Sequence, residues 1–279
     1  LFVGAFLVYS VVSLSLAPAA VSTTDDLERD TDEVTWTVTP QWEISEEVML
    51  FATAAHGFKS GGFNTGFGRL PIAGREFADE DVMHYEAGVK LEALEGRMRL
   101  AASAFYTEYE EYQDAAFVGA QFTVGNAEQV ELEGVELEGE VLLTDRLTSD
   151  FSISYADLVY DENTSGQCYP GRAPDSATTP GACDLSGEHP VNAPEWKTHL
   201  GLEYEQPVNW GEVYARADWS WTDEYNTATS ADPRLVQDAH SWVNLRAGTR
   251  WDDYEVALWV ENATDEEVVN FAAVMSVYA

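Results

Sequence analysis

From Val34 to Ile44 the chain alternates strictly between two chemistries: Val34, Trp36, Val38, Pro40, Trp42 and Ile44 fall on one parity, and Thr35, Thr37, Thr39, Gln41 and Glu43 on the other. Side chains alternate across a strand with period two, so such a run is a β-strand with one apolar and one polar face. The pattern returns in Tyr85 to Glu92 and in Trp196 to Glu205, and again in Met98 to Tyr106, Leu147 to Tyr155, Val213 to Trp221, Ser241 to Trp251 and Val256 to Val260. No helical stripe of comparable length competes. The chain is therefore read as all-β, built from segments of about ten residues.

The links between these segments sort by length. Short ones fall at Ser45-Glu46-Glu47, Ala93 to Gly96, Thr144-Asp145-Arg146, Gln206 to Glu212 and Asp252-Asp253; long ones at Lys59 to Glu80, Glu108 to Phe117, Asp161 to Pro194 and Asn226 to Asp238. An antiparallel meander with tight turns at one rim and long polar loops at the other is the pattern of an outer-membrane β-barrel. Trp36, Trp42, Tyr85, Tyr106, Tyr155, Trp196, Tyr204, Trp219, Trp221 and Trp251 lie on or near the ends of the apolar faces, where interfacial girdles belong. A secreted β-sandwich with the same rings in its core is the rival, but the second face is too charged to bury.

Composition excludes several partners. With 14 Lys+Arg against 50 Asp+Glu, a net charge of −36, the surface repels phosphate backbones, so no nucleic-acid partner is expected. A hydrophobic content of 45% with 12% aromatics excludes a disordered chain. Cys168 and Cys183 lie in one Pro/Gly/Ser/Thr-rich stretch without zinc spacing and read as one loop-closing disulfide, worth about 3 kcal/mol in the loop-entropy model. His56, His84, His189, His199 and His240 are scattered, so no metal site is expected. There is no G-x-S-x-G elbow, no cofactor motif and no distinguishable catalytic pair, so no enzyme is expected. Leu1 to Val21 fits a signal-peptide core, a membrane helix or a barrel strand with its loop. It has neither Met nor a basic start, which favours the strand and points to a piece of a longer protein.

His56-Gly57-Phe58-Lys59-Ser60-Gly61-Gly62-Phe63-Asn64, followed by Tyr85-Glu86-Ala87-Gly88-Val89-Lys90, resembles the GFKSGGFN and YExGxK segments of TonB-dependent outer-membrane receptors. The resemblance continues in order through Ala104-Phe105-Tyr106 with Tyr109 and Tyr112-Gln113-Asp114, then Asn126-Ala127 leading into Gly134 to Glu138, Asn192-Ala193-Pro194 and Val260 to Glu266. It implies that residues 1–279 form a partial transmembrane barrel of about eleven strands, half of the ~22 of the plugged transporters. The plug domain, the TonB-contacting segment and the final strand would lie outside this chain.

The resemblance also implies a receptor in the outer-membrane lipid of a Gram-negative bacterium. It would take up a scarce solute, a ferric siderophore foremost, and be energised by the TonB complex through the missing N-terminal region. A passive porin-like barrel and an outer-membrane or secreted β-sheet hydrolase are the alternatives. Phe58, Lys59, Phe63, Asn64, Phe67 and Arg69 on the first long loop are the candidate ligand contacts, since aromatic faces with interspersed donors suit a planar chelate. Gly61-Gly62 reads as a sharp turn. The acids Glu131, Glu133, Glu136, Glu138 and Glu140 are expected to face Lys90, Arg97, Arg99, Arg216, Arg246 and Arg250. The shift of apolar parity around Gly134 predicts a β-bulge there.

Overall fold

The computed structural model describes residues 3–15 by their backbone course, and residues 27–64, 75–118 and 121–273. The strands are β1 (Val3–Ser15), β2 (Asp30–Glu43), β3 (Val48–Lys59), β4 (Gly62–Phe63), β5 (Glu76–Phe77), β6 (Glu80–Ala93), β7 (Met98–Val118) and β8 (Gln121–Thr144). Then follow β9 (Leu147–Glu162), β10 (Trp196–Val208), β11 (Gly211–Thr222), β12 (Tyr225–Asn226), β13 (Val236–Gln237), β14 (His240–Trp251) and β15 (Tyr254–Val260). Eleven of them form one sheet in the order β1-β2-β3-β6-β7-β8-β9-β10-β11-β14-β15, and β4-β5 and β12-β13 are two-stranded pairs inside long loops. Each consecutive pair in the large sheet is antiparallel, so the expected meander is present. Val3 to Ser15 is a strand paired with Asp30 to Trp42, in keeping with the strand reading of the first segment; residues 1–2 and 16–21 lie outside the described residues.

The pairing register carries each apolar parity onto its neighbour. Leu137 stands opposite Ala102 and Ile153, Ile153 opposite Thr198, Leu200 opposite Phe151 and Trp219, and Ala217 opposite Leu245. The result is one continuous apolar face, on which Leu258, Val260, Val135 and Tyr204 are exposed. In water such a face would be a large liability; in hydrocarbon it is the lipid-facing wall. On β10, Trp196 and Tyr204 end the apolar run eight positions apart, about 27 Å along the strand and about 21 Å of height at a ~40° tilt, close to the band that aromatic girdles bracket.

Two expectations about local structure are corrected. Glu108 to Phe117 is not a loop. It continues β7, which pairs with β8 as far as Val118 opposite Gln121, so the hairpin runs well beyond the ten or so residues a membrane requires. Its tyrosines explain the extension, because they have a core to cover. Tyr109 and Tyr112, three apart, both pack against the cluster of Ala127, Val130, Tyr160, Cys183 and Leu185, and Glu111 between them holds φ 54°, which breaks the strict alternation.

Nor is there a bulge at Gly134. Register is unbroken there, with Glu133, Gly134 and Val135 opposite Tyr106, Phe105 and Ala104; the shifts lie at Gln129/Val130 and Leu142/Thr144. What changes at Gly134 is the surroundings. On the short-turn side the inner face carries Glu136, Glu138 and Glu140 and the outer face Val135 and Leu137. On the long-loop side the inner face carries Val130 and Leu132, which loops cover, and the outer face Glu131 and Glu133, beyond the hydrocarbon. Gly134 itself is required by close approach, since a Cβ would lie 2.2 Å from the Tyr155 carbonyl and 2.5 Å from the Phe105 ring.

Candidate functional site

The first long loop is held by side-chain clamps onto backbone. Gln113 donates from Nε2 to the carbonyls of Lys59, Ser60 and Ala78 at 3.2, 3.1 and 3.0 Å. Asn126 accepts the Ala78 N–H at 2.8 Å and donates to the Glu111 carbonyl at 2.6 Å. Asn64 behaves as a detached strand residue: its Oδ1 accepts the Val124 N–H at 2.8 Å while its Nδ2 donates to the carbonyls of Val124 and Arg75. At the loop base, Arg29 donates to Asp79 at 2.8 Å and to Glu76 at 2.6 Å. Gly61 needs its missing side chain, because a Cβ there would sit 2.3 Å from the Phe77 carbonyl.

Of the six candidate contacts, four are described. Phe58 and Lys59 end β3, where the Lys59 ammonium is 3.8 Å from the buried carboxylate of Glu80. Phe63 sits in β4 opposite Glu76. Asn64 has its amide fully engaged in holding the loop. Phe67 and Arg69 lie outside the described residues.

The loop between β9 and β10 carries a small core of its own. A disulfide joins Cys168 to Cys183, with Cα atoms 5.1 Å apart. Cys183 and Leu185 then pack on Val130 and Tyr160, which is 1% exposed and donates its hydroxyl to Asp114 at 2.5 Å. The loop between β11 and β14 locks onto it, since Arg234 donates to the Pro170 carbonyl at 3.0 Å and Asn226 to the His189 carbonyl at 2.9 Å. Arg234 also pairs with buried Asp232 at 2.7 Å.

These loop carboxylates titrate low. Arg234 beside it holds Asp232 below the usual carboxylate value, the Asp184 N–H and Arg172 do so for Asp175, and Ser186 does so for Asp184. Burial pushes Asp79 up, but Arg29 and the Gly61 N–H overcome it and the net direction is down. A carboxylate whose folded value is depressed stabilises above its unfolded value, near 4, and loses that contribution as pH falls through the folded value. The rim loops should therefore loosen in a common window below about pH 4. Amide exchange between pH 6 and pH 3, corrected for intrinsic rates, checks this: protection of 163–194 should fall before that of β10 and β11, and simultaneous loss would contradict it.

Along the inner wall the acids meet arginines. Arg216 lies 2.8 Å from Asp150, 2.6 Å from Asp218 and 3.6 Å from Glu203. Arg250 reaches Glu205 at 2.9 Å and Glu212 at 3.1 Å, and Arg246 reaches Glu255 at 2.7 Å. Lys90 rests over the Phe51 ring at 5.7 Å, and Arg97 bonds the Leu142 carbonyl at the short-turn rim. Of the five-acid ladder, only Glu136, Glu138 and Glu140 share this face. Two groups of His and carboxylate, Asp150–His199–Asp218 and Asp157–His189–Glu195, come together within metal-ligand range, which linear spacing did not reveal. In the first, the residues come from three adjacent strands.

The family model described as TonB dependent receptor-like, beta-barrel, matches residues 9–263. The chain belongs to this family. The metal-pseudopaline receptor CntO of Pseudomonas aeruginosa is 32% identical over 126 residues, 44% of this chain and 16% of that protein. Among solved structures, the ferric yersiniabactin uptake receptor FyuA of Yersinia pestis superposes with a TM-score of 0.68 at 17% identity, covering 90% of this chain and 35% of that one. The siderophore receptor PiuA of Acinetobacter baumannii gives 0.67 at 18%, covering 89% and 34%. The chain thus spans about a third of the length of these solved receptors.

As a TonB-dependent receptor barrel domain, the chain is an outer-membrane protein of a Gram-negative bacterium, and its family and fold are those of transport receptors rather than enzymes. The rim of tight turns is then periplasmic and the rim of long loops extracellular. The short motifs that carry the family resemblance are explained by the clamps: Asn64, Gln113, Asp114 and Asn126 all hold extracellular loops to strand ends. After β15, the Asn262 side chain closes a local turn, donating to the Glu266 carbonyl and accepting its N–H at 2.9 Å each, while the Asn262 N–H bonds the Asn244 side chain on β14 at 2.8 Å.

Proposed function

We propose that this chain forms part of the wall and extracellular rim of an uptake receptor for a metal chelate, a ferric siderophore foremost, driven through the TonB complex by a region outside the chain. The observation that carries the reading is the 32% identity to a receptor whose named cargo is a metal–pseudopaline complex. The superposed structures bear names of the same cargo class. The rim geometry supports it, because loops braced by a disulfide and by interlocked side chains present a preorganised surface rather than a mobile one. Phe58, Lys59, Phe63, Phe67 and Arg69 are the proposed chelate contacts, whereas Asn64 serves the shape of their loop.

A strain lacking the gene should grow poorly under iron limitation with the matching siderophore as sole iron source, and recover on complementation. Unchanged growth across a panel of siderophores, beside a defect on cobalamin or a glycan, would overturn the chelate assignment. The double variant F58A/F63A should weaken chelate binding at least tenfold while leaving the heat-modifiable mobility of the folded barrel unchanged, as expected when buried aromatic anchors are removed.

A further inference from the structure

Strands β8 and β15 are not neighbours in the wall. The sheet places β9, β10, β11 and β14 between them, so their positions stand about 24 Å apart along the barrel at ~4.8 Å per strand. Yet the rings of Phe122 on β8 and Phe271 beyond β15 lie 5.3 Å apart, centre to centre. Phe122 has the parity of Val130, and the β7–β8 register is the same on both sides of Glu111, so Phe122 projects from the inner face of the hairpin. The contact therefore crosses the mouth on the lumen side.

The segment 261–273 makes the crossing. Its base is a fixed turn, since Asn262 and Asp265 hold φ 48° and 55° and the Asn262 side chain bonds both the N–H and the carbonyl of Glu266. Along its course Ala263 donates to the Val243 carbonyl on β14 at 2.7 Å, Val269 to the Gln237 side chain at 2.8 Å, and Ala272 to the carbonyl of buried Thr227 at 2.8 Å. The segment thus leaves the wall at β14 and runs over the loop between β11 and β14. Where it also meets the loop between β9 and β10, Tyr169, Pro170, Thr229 and Phe271 leave a gap of only about 20 Å³, room for one water. At its far end it meets the hairpin through two rings that are 55% and 42% exposed. One ring pair is a weaker tie than the three hydrogen bonds behind it.

We propose that segment 261–273 is a strap across the extracellular mouth, latched to the β7–β8 hairpin by Phe122 and Phe271, and that release of this latch opens the lumen to cargo. The strap stays anchored at the turn after β15 and on the loop between β11 and β14, so the ring pair is the joint that gives. The cargo is that of the uptake reading above. The closure itself does not depend on it.

The test uses the full-length receptor in the outer membrane of whole cells. Thr222 ends β11 with the parity opposite to outward-facing Trp219, so T222C places a thiol just inside the mouth, while Cys168 and Cys183 are occupied by their disulfide. A bulky, membrane-impermeant maleimide added outside should label it about three- to tenfold faster when F122A/F271A is also present, the population shift expected from losing one ring pair. Equal labelling rates with and without the phenylalanines would overturn the inference. In a second measurement F122C/F271C is bridged with a short bismaleimide, bridging is scored by mass, and uptake of 55Fe-siderophore is compared with that of the same variant capped by a monofunctional maleimide. The bridged receptor should lose uptake at least tenfold relative to the capped one; equal uptake by both would overturn the strap as the point of entry. If neither the capped nor the unsubstituted receptor takes up any chelate, the uptake reading fails instead, and the labelling rates still decide the strap.

Discussion

Replacing Leu200 with arginine should cost about 2–4 kcal/mol of folding stability in a bilayer, the price of a cation at the midplane of the lipid face. Leu200 lies halfway between Trp196 and Tyr204 on β10, on the face shared by Phe151 and Trp219. Ser152, on the adjacent strand, has the opposite parity and stands opposite Glu138. Ser152→Lys should stay within about 1 kcal/mol, because its charge enters an aqueous, acidic wall. Reversible urea unfolding in lipid vesicles measures both. Equal costs for the two substitutions would mean that the faces are wrongly assigned.

Tyr160→Ala should remove about 3–5 kcal/mol from the docking of the loop between β9 and β10, the range for emptying a buried aromatic site. Tyr160 is the largest fully buried side chain described, touches the ring of Tyr112, and joins β9 to Val130 and Leu185. Tyr160→Phe keeps the volume but leaves Asp114 without its donor, a loss of about 1–3 kcal/mol. Hydrogen exchange across 163–194 should accelerate in the order unsubstituted, Phe, Ala, while β10 and β11 keep their protection. If all regions accelerate together, the loop is not the separate cooperative unit described above.

The wall of the barrel was legible in the sequence because the membrane imposes one rule on every strand, apolar out and polar in, and Val34 to Ile44 or Trp196 to Glu205 obey it residue by residue. The rim was less legible because its strands leave the hydrocarbon and the rule inverts. At Gly134 that inversion mimics a bulge, and in Glu108 to Phe117 a strand crowded with acids and tyrosines looks like a loop. Site residues are harder still. Asn64 reads as a ligand contact from its type and place, yet its amide replaces missing strand pairing, which only the position of Val124 sixty residues later reveals. The grouping of His189 with Asp157 and Glu195 depends on how a thirty-residue loop returns to its own strand. The one signal available was that His189 and Glu195 flank the family-like Asn192-Ala193-Pro194, where the loop must come back to the wall.

The most direct test of the account is uptake of 55Fe bound to the matching siderophore, in cells with and without the gene and with and without a protonophore. Accumulation that requires the gene and stops at surface-bound levels when the proton gradient collapses is the predicted result. Uptake that continues unchanged without the gradient would identify a passive pore and contradict an energised receptor.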